Sequence, residues 1–438
     1  MARILLAIRI MSSANRLPAL ESAFLGLESD DVPFVVASIL ELDRPITVDA
    51  LRRHVDASVA TIPRYRQRPD RAKRAWVDDP SFRIARHVHV AWVAEPGGRS
   101  ELEAVAAELL STGLPSNRPP WALWTVRGLA GGRGAVIALV HHTLVDGITG
   151  FRVLEYLLRT GPGEPPPQAA PPESRRALRR LVAWRNVRAL GRLLRDGLRP
   201  ASQVGLNPRR TGRVRAIASH SVELEAITSI EHAFDATNND VVLAVVAIAL
   251  RRFLRRRGLD PDHLRDVRAM VPVGRHAKGE RVASGNRVVL LLAQLPVHEA
   301  DPVECLRRVA ATTRKLKADH TASGGDLLVA LGDATTPAVL LNVLRLALWM
   351  RAFTLIVTNV PGPKTSLSLL GAQLTRVVPI VNLWPHQSLG IAVASYAGSM
   401  TFGIQVDRAV IADVGQVRDD LAAAFEALLE AASHAHAA

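Results

Sequence analysis

Six of the twelve residues from Gly161 to Pro172 are proline, so no helix or central strand can run through this part of the chain. A proline ring removes one backbone N–H and holds φ near −65°, which breaks both kinds of hydrogen-bonded ladder. The run reads as a stiff linker. At 438 residues the chain also exceeds the size, about 250–300 residues, at which a single core stops growing. The expected organisation is an amino-terminal domain over 1–160, a linker with a basic helix over 161–215, and a carboxy-terminal domain over 216–438.

Both halves mix strands with helices. Val32–Leu42 and Ala135–Val140 are apolar runs bounded by turn residues, the pattern of buried strands. Val48–Ala60 and Glu101–Leu110 carry apolar residues at helical spacing. Beyond the linker, Asp240–Phe253, Asp301–Lys317 and Val414–Ala432 predict helices, and Val288–Leu295 and Leu389–Ser395 predict strands. Asn239 stands where a cap for the first of these helices belongs. The expected class is α/β, an α+β sandwich with two such domains in tandem.

The net charge of +14 is local. Between Ser174 and Arg215 thirteen arginines face one acid, Asp196, which leaves the rest of the chain nearly neutral. Arg185, Arg188, Arg192, Arg195 and Arg199 are spaced 3-4-3-4 and share one helical face, opposite Val187, Leu190 and Leu194. Such a helix suits an anionic membrane or lipid-droplet surface; it equally suits a solvated bridge between domains. Trp184 is the one aromatic among these arginines, so the segment lacks the stacking platform of a nucleic-acid site, and no nucleic-acid partner is expected.

Cys305 is the single cysteine, which excludes an internal disulfide and a cysteine-rich metal centre. It falls in a helix-start pattern and reads as a packing residue. The longest apolar stretch, Ala338 to Val357, is interrupted by Asn342, Arg345 and Arg351, and Arg9 breaks the short apolar amino terminus. A cytoplasmic protein, soluble or peripheral to a membrane, is expected.

Chemistry concentrates at residues 141–147, His-His-Thr-Leu-Val-Asp-Gly, where the apolar run 134–140 meets a polar turn. A His-His-x-x-x-Asp-Gly pattern arises by chance in roughly one chain per thousand of this length, on average composition. If the strand persists, His141 points to the opposite side and packs, while the turn exposes His142. An unperturbed imidazole titrates near 6.5, so His142 can take a proton from a hydroxyl or thiol at neutral pH. Asp146 either orients His142 or pins the loop through a basic partner, and Gly147 permits the turn. Two adjacent histidines point apart and chelate one metal ion poorly, and no other cluster supplies a third ligand. A purely structural His-His pair is the remaining reading.

The motif at His141–Gly147 resembles the active-site loop of acyltransferases that share the chloramphenicol acetyltransferase-like fold. The closer resemblance is to the bacterial wax ester synthase/acyl-CoA:diacylglycerol acyltransferases. Leu17–Glu28 resembles that family's opening, Pro63–Arg68 its early basic segment, and Asn117–Trp121 its Pro-Leu-Trp motif. Asn239–Ala244, Arg268–Val273, Thr358–Pro363 and Ser395–Gly398 resemble later signatures, in order. The resemblance implies two chloramphenicol acetyltransferase-like domains with the active site in a channel at their interface. It implies that His142 is the general base, that Asp146 holds the loop with His141 and Gly147, and that Trp121, Asn239, Asp240 and Asn359 support the channel. It implies acyl-CoA as co-substrate, diacylglycerol or a long-chain alcohol as acceptor, and no metal or bound cofactor. A glycolipid, polyketide or carrier-bound substrate within the same superfamily is the alternative, as is a non-catalytic lipid-surface protein. Phe34-Val35, Pro120, Ala122, Asn382–His386 and Gly390 depart from the family pattern, which leaves the acceptor open.

Overall fold

The computed structural model describes residues 15–144, 200–274, 288–322 and 337–437. Its strands are β1 (Val35–Leu42), β2 (Gln67–Asp70), β3 (Ala75–Asp78), β4 (Val88–Trp92), β5 (Trp121–Arg127), β6 (Gly134–His141), β7 (Arg215–Glu223), β8 (Val267–Gly274), β9 (Val288–Leu295), β10 (Leu355–Val360), β11 (Ser368–Leu369), β12 (Ala372–Ile380), β13 (Leu389–Tyr396) and β14 (Ser399–Asp407). The helices are α1 (Ala19–Leu27), α2 (Val48–Val59), α3 (Arg99–Thr112), α4 (Leu224–Phe234), α5 (Asn238–Arg256), α6 (Pro302–Ala322), α7 (Pro337–Trp349) and α8 (Val414–Ala437). The linker Gly161–Pro172, the five arginines from Arg185 to Arg199, Asp146 and Gly147 lie outside the described residues.

Two six-stranded sheets form, ordered β11–β12–β1–β6–β5–β4 and β7–β14–β13–β10–β8–β9. In the first, α2 covers one face, where Leu51, Val55 and Val59 meet Leu40, Val136 and Ala138. Helix α3 covers the other face, with Leu102, Ala106 and Leu110 against Ile39, Ile137 and Leu139. In the second, α5 is buried almost all round beside α8, whose Leu421, Phe425 and Leu428 share its core. Cys305 packs in that core, and burial pushes its thiol up to about 12, so it is an inert packing residue.

Local differences from the sequence expectations have local causes. Strand β1 starts at Val35, not Val32, because Pro33 offers no N–H to a ladder and Val32 is turned back onto Ser29 at 3.0 Å. The cap of α5 is Thr237, not Asn239. Its hydroxyl accepts from Asp240 N–H, and the Asp240 carboxylate accepts from Thr237 N–H at 2.9 Å, a reciprocal capping box. Asn239 lies within the first turn instead.

One long-range feature was not legible in spacing. Strand β12 leaves the carboxy-terminal portion and pairs antiparallel with β1, Ala37 opposite Ile380 and Leu40 opposite Val377. From there Arg376 donates to Glu41 at 2.7 Å within its own sheet and to Ser221 and Ser219 of β7, each at 2.8 Å, in the other. Close approach follows at Gly403 of β14. A Cβ there would sit 1.7 Å from the Pro379 carbonyl oxygen, so only glycine fits between the sheets. Removing one partner of a buried, fully bonded ion pair strands the other charge and typically costs about 3–5 kcal/mol. Arg376→Ala is expected to lower unfolding free energy by about that amount in urea titration. The double variant Arg376→Met/Glu41→Gln should recover a large part of it.

Candidate active site

The loop that follows β6 is held mainly by its own backbone. Strand β6 ends at His141, which pairs with Val35 across the sheet and donates its N–H to the Pro120 carbonyl at 2.9 Å. The next N–H, of His142, donates to the Phe34 carbonyl at 2.7 Å. Leu144 N–H then donates to the His141 carbonyl at 2.9 Å and closes a turn with His142 and Thr143 at its centre. The turn breaks the alternation of the strand just where it matters. His141 follows Leu139 onto the α3 face and is buried, 3% exposed, while His142 is half-buried. The expectation that His141 packs and that the turn releases His142 agrees with this placement.

Around His142 the surroundings are aromatic and aliphatic. Its ring lies 4.8 Å from Phe24 of α1, and Phe24, Phe34 and Trp384 stand 5.4–5.9 Å from one another. This cluster takes Met270 of β8, Ile356 of β10 and Ala392 of β13 from the second sheet, and Phe34 and Val381 from the residues that flank β1 and β12 of the first. Two departures from the family pattern noted above, Phe34 and Trp384, meet here. A third, Gly390, is explained nearby: a Cβ would come within 3.0 Å of Val381 and 3.3 Å of Leu383. The segment Leu144 covers a neighbouring group of Leu17, Leu25 and Trp76.

The other residues singled out in the sequence fall into two places. Trp121 is buried on the α2 face of the first sheet, its indole N–H donating to the Tyr65 carbonyl at 2.8 Å and its ring stacked on His87 at 4.5 Å. Burial holds the His87 imidazole down at about 4, so it is a neutral donor to the Trp121 carbonyl and not a base. On the second sheet, Asn359 of β10 donates to Asn238 at 2.9 Å, beside Asn239 at the start of α5. Asp240 is buried and occupied, capping α5 and accepting from Thr313 of α6. Among the described residues no group of three or more His, Cys, Asp or Glu side chains is placed to hold a metal ion.

Two family models span this arrangement. The wax ester synthase/diacylglycerol acyltransferase catalytic domain matches residues 17–242, and the C-terminal domain of the same family matches 284–429. The chain belongs to this family. It is an acyltransferase of the wax ester synthase/diacylglycerol acyltransferase type. A Mycobacterium tuberculosis protein with the provisional name diacylglycerol O-acyltransferase is 29% identical, over 96% of this chain and 91% of that one. Another from the same organism, likewise provisionally named, is 28% identical over 92% and 93%. Among solved structures, the wax ester synthase/diacylglycerol acyltransferase of Marinobacter aquaeolei VT8 superposes with a TM-score of 0.71 at 23% identity, over 95% of this chain and 100% of that one. The starter condensation domain of rhizomide synthetase superposes at 0.61 and 12% identity, over 97% and 96%. The fold is the two-domain, chloramphenicol acetyltransferase-like one that the resemblance implied.

Sequence reasoning passed over the acids of the family's opening segment. Glu21 and Glu28 end up beside the acyltransferase loop, yet no motif spacing connects positions near 25 with positions near 141. Glu21 accepts from the Trp76 indole at 2.8 Å. Burial pushes its carboxyl up to about 7, against that hydrogen bond and the nearby Arg64 guanidinium. The folded chain thus keeps a proton that the unfolded chain gives up near 4.5, and stability is lost as pH rises from 4.5 to about 7. Glu21→Gln keeps the acceptor and stays neutral. It is expected to stabilise the protein by about 1–3 kcal/mol at pH 8 and by little below pH 4.5, in urea titrations at the two pH values. A difference independent of pH would contradict a buried, neutral Glu21.

Proposed function

We propose that this acyltransferase moves a fatty acyl group from acyl-CoA to the hydroxyl of a diacylglycerol or long-chain alcohol, with His142 as general base. The imidazole takes the hydroxyl proton as the oxygen attacks the thioester carbon. The tetrahedral intermediate then collapses, the C–S bond breaks, and the departing CoA sulfur recovers the proton from His142. Ester and CoA thiol leave, and the base is regenerated. The observation that carries this reading is a histidine fixed by backbone hydrogen bonds at a strand end, with its ring against an apolar cluster built from α1, the second sheet and the residues flanking β1 and β12. Such surroundings favour hydrocarbon chains and exclude the water that would hydrolyse the thioester. In the same reading Asp146 and Gly147 hold the loop, and Trp121, Asn239, Asp240 and Asn359 support the substrate channel.

His142→Ala is expected to cut thiol release from palmitoyl-CoA, with dioleoylglycerol or hexadecanol as acceptor, by about 10²–10⁴-fold. Turnover at the wild-type rate would refute the assignment of the base.

Water-insoluble acceptors imply work at a membrane or lipid-droplet surface. The arginines at 185, 188, 192, 195 and 199 were one expected means of attachment. Among the described residues a second feature supports it. Val339, Val343, Leu346 and Trp349 are exposed along one face of α7, whose opposite face packs on α1 and the cluster beside His142. No single described helix is long and apolar enough to cross a membrane, and in this reading the exposed face of α7 rests in the interface. Val343→Ser, Leu346→Ser and Trp349→Ser combined should weaken co-sedimentation with phosphatidylglycerol vesicles severalfold. Unchanged binding would exclude this face.

A further inference from the structure

Glu28 follows α1 and reaches across to the catalytic loop. Its Oε1 lies 3.4 Å from His141 Nε2, with the carboxylate 24% and the imidazole 4% exposed. Its other oxygen, Oε2, accepts from the Arg71 guanidinium. Burial alone would raise this carboxyl, but His141 and Arg71 outweigh it and hold it below the ordinary carboxylate value, so Glu28 is an anion at neutral pH. On the far side of the ring, His141 Nδ1 faces Thr143, whose backbone N–H stands at 3.2 Å and whose Oγ1 stands at 2.8 Å.

These contacts leave one tautomer. A backbone N–H can only donate, so Nδ1 must be the bare, accepting nitrogen. The ring proton then sits on Nε2, the nitrogen 3.4 Å from Glu28 Oε1, where the contact is electrostatic and not a closed hydrogen bond. In the opposite tautomer Nδ1–H could donate to Thr143 Oγ1 but would meet the Thr143 backbone N–H, donor against donor, and a bare Nε2 would face an anion at Glu28. Both ends of the imidazole therefore specify the same state, and Glu28 supplies the charge at one end.

We propose that Glu28 is a positioning residue for acyl transfer. It fixes His141 with its proton on Nε2, which keeps Nδ1 free to hold Thr143 N–H and so sets the turn that carries His142. The inference rests on the reading of His142 as the base. Glu28 touches no reacting atom; it acts through His141 and the turn. The sensitivity comes from geometry, since a displacement of about 1 Å in a reacting group can cost a factor of 10² in rate.

Glu28→Gln gives a specific test. Arg71 can donate only to the new amide oxygen, which turns the amide NH₂ toward His141 Nε2, donor against donor. The variant is nearly isosteric and keeps the fold, yet kcat should fall by about 10–100-fold while the KM for acyl-CoA stays within about twofold. Adding Arg71→Ala releases the amide oxygen to accept from Nε2–H, so the double variant should recover at least tenfold of the lost kcat. A purely structural role predicts the reverse, a double variant worse than the single one. ¹⁵N-histidine NMR reads the tautomer without substrate, with His141 assigned by its loss in His141→Asn. The Nε2–H state should dominate in the wild type and the double variant and weaken in Glu28→Gln. Wild-type kcat in Glu28→Gln, an unchanged tautomer there, or a double variant slower than the single one would each overturn the proposal. Should His142→Ala prove active, the reading of the base falls, whereas the NMR comparison still reports the link from Glu28 to His141.

Discussion

Strand β12 is the constraint on which the rest of this structure depends. By pairing with β1 it covers an edge whose N–H and C=O groups would otherwise stand open, and it draws the carboxy-terminal portion of the chain into the amino-terminal sheet. Arg376 then bonds to both sheets at once, and Gly403 lets Pro379 come into backbone contact. The consequence reaches the active site directly. The chain leaves β12 at Ile380 and places Val381 and Trp384, only a few residues on, in the aromatic cluster beside His142. That register sets Val381 and Trp384 against Met270, Ile356 and Ala392 of the second sheet.

The loop combines two environments that serve different ends. Toward α3 and Glu28 it is polar and over-determined, with every backbone N–H from His141 to Leu144 engaged. Toward Phe24 and Trp384 it is apolar. Rigidity comes from the first side and apolar character from the second. Helix α1 contributes to both, since Phe24 contacts His142 while Glu28, just past its end, contacts the preceding histidine. The opening segment of this family thus acts as the cradle of a loop more than a hundred residues away.

Much was legible where the cause is local. The apolar run 134–140 became β6, and the five expected helices that fall among the described residues formed, each within a few residues of its expected limits. The turn after the strand separated the buried His141 from the half-buried His142, and a lone cysteine in a helix-start pattern proved to be core. Capping shows the limit of such reasoning. Asn239 had the right residue type at nearly the right place, but Thr237 won because Asp240, three residues on, could answer it with a second hydrogen bond. Glu21, Glu28 and Asn238 left no signal at all, since their partners lie far away in the chain and no spacing links them.

The sequence by itself determined the elements, the turn that divides two adjacent histidines, and the family motif that names the chemistry, because each depends on residues within a few positions of one another. Tertiary structure alone decided which strand closes the first sheet, which acid faces His141, and which aromatic rings meet His142. Those outcomes rest on pairing between distant segments, where hydrogen-bond complementarity, the absence of a side chain at Gly403, and the burial of charge at Arg376 and Glu41 select one register among many that the pattern alone would permit.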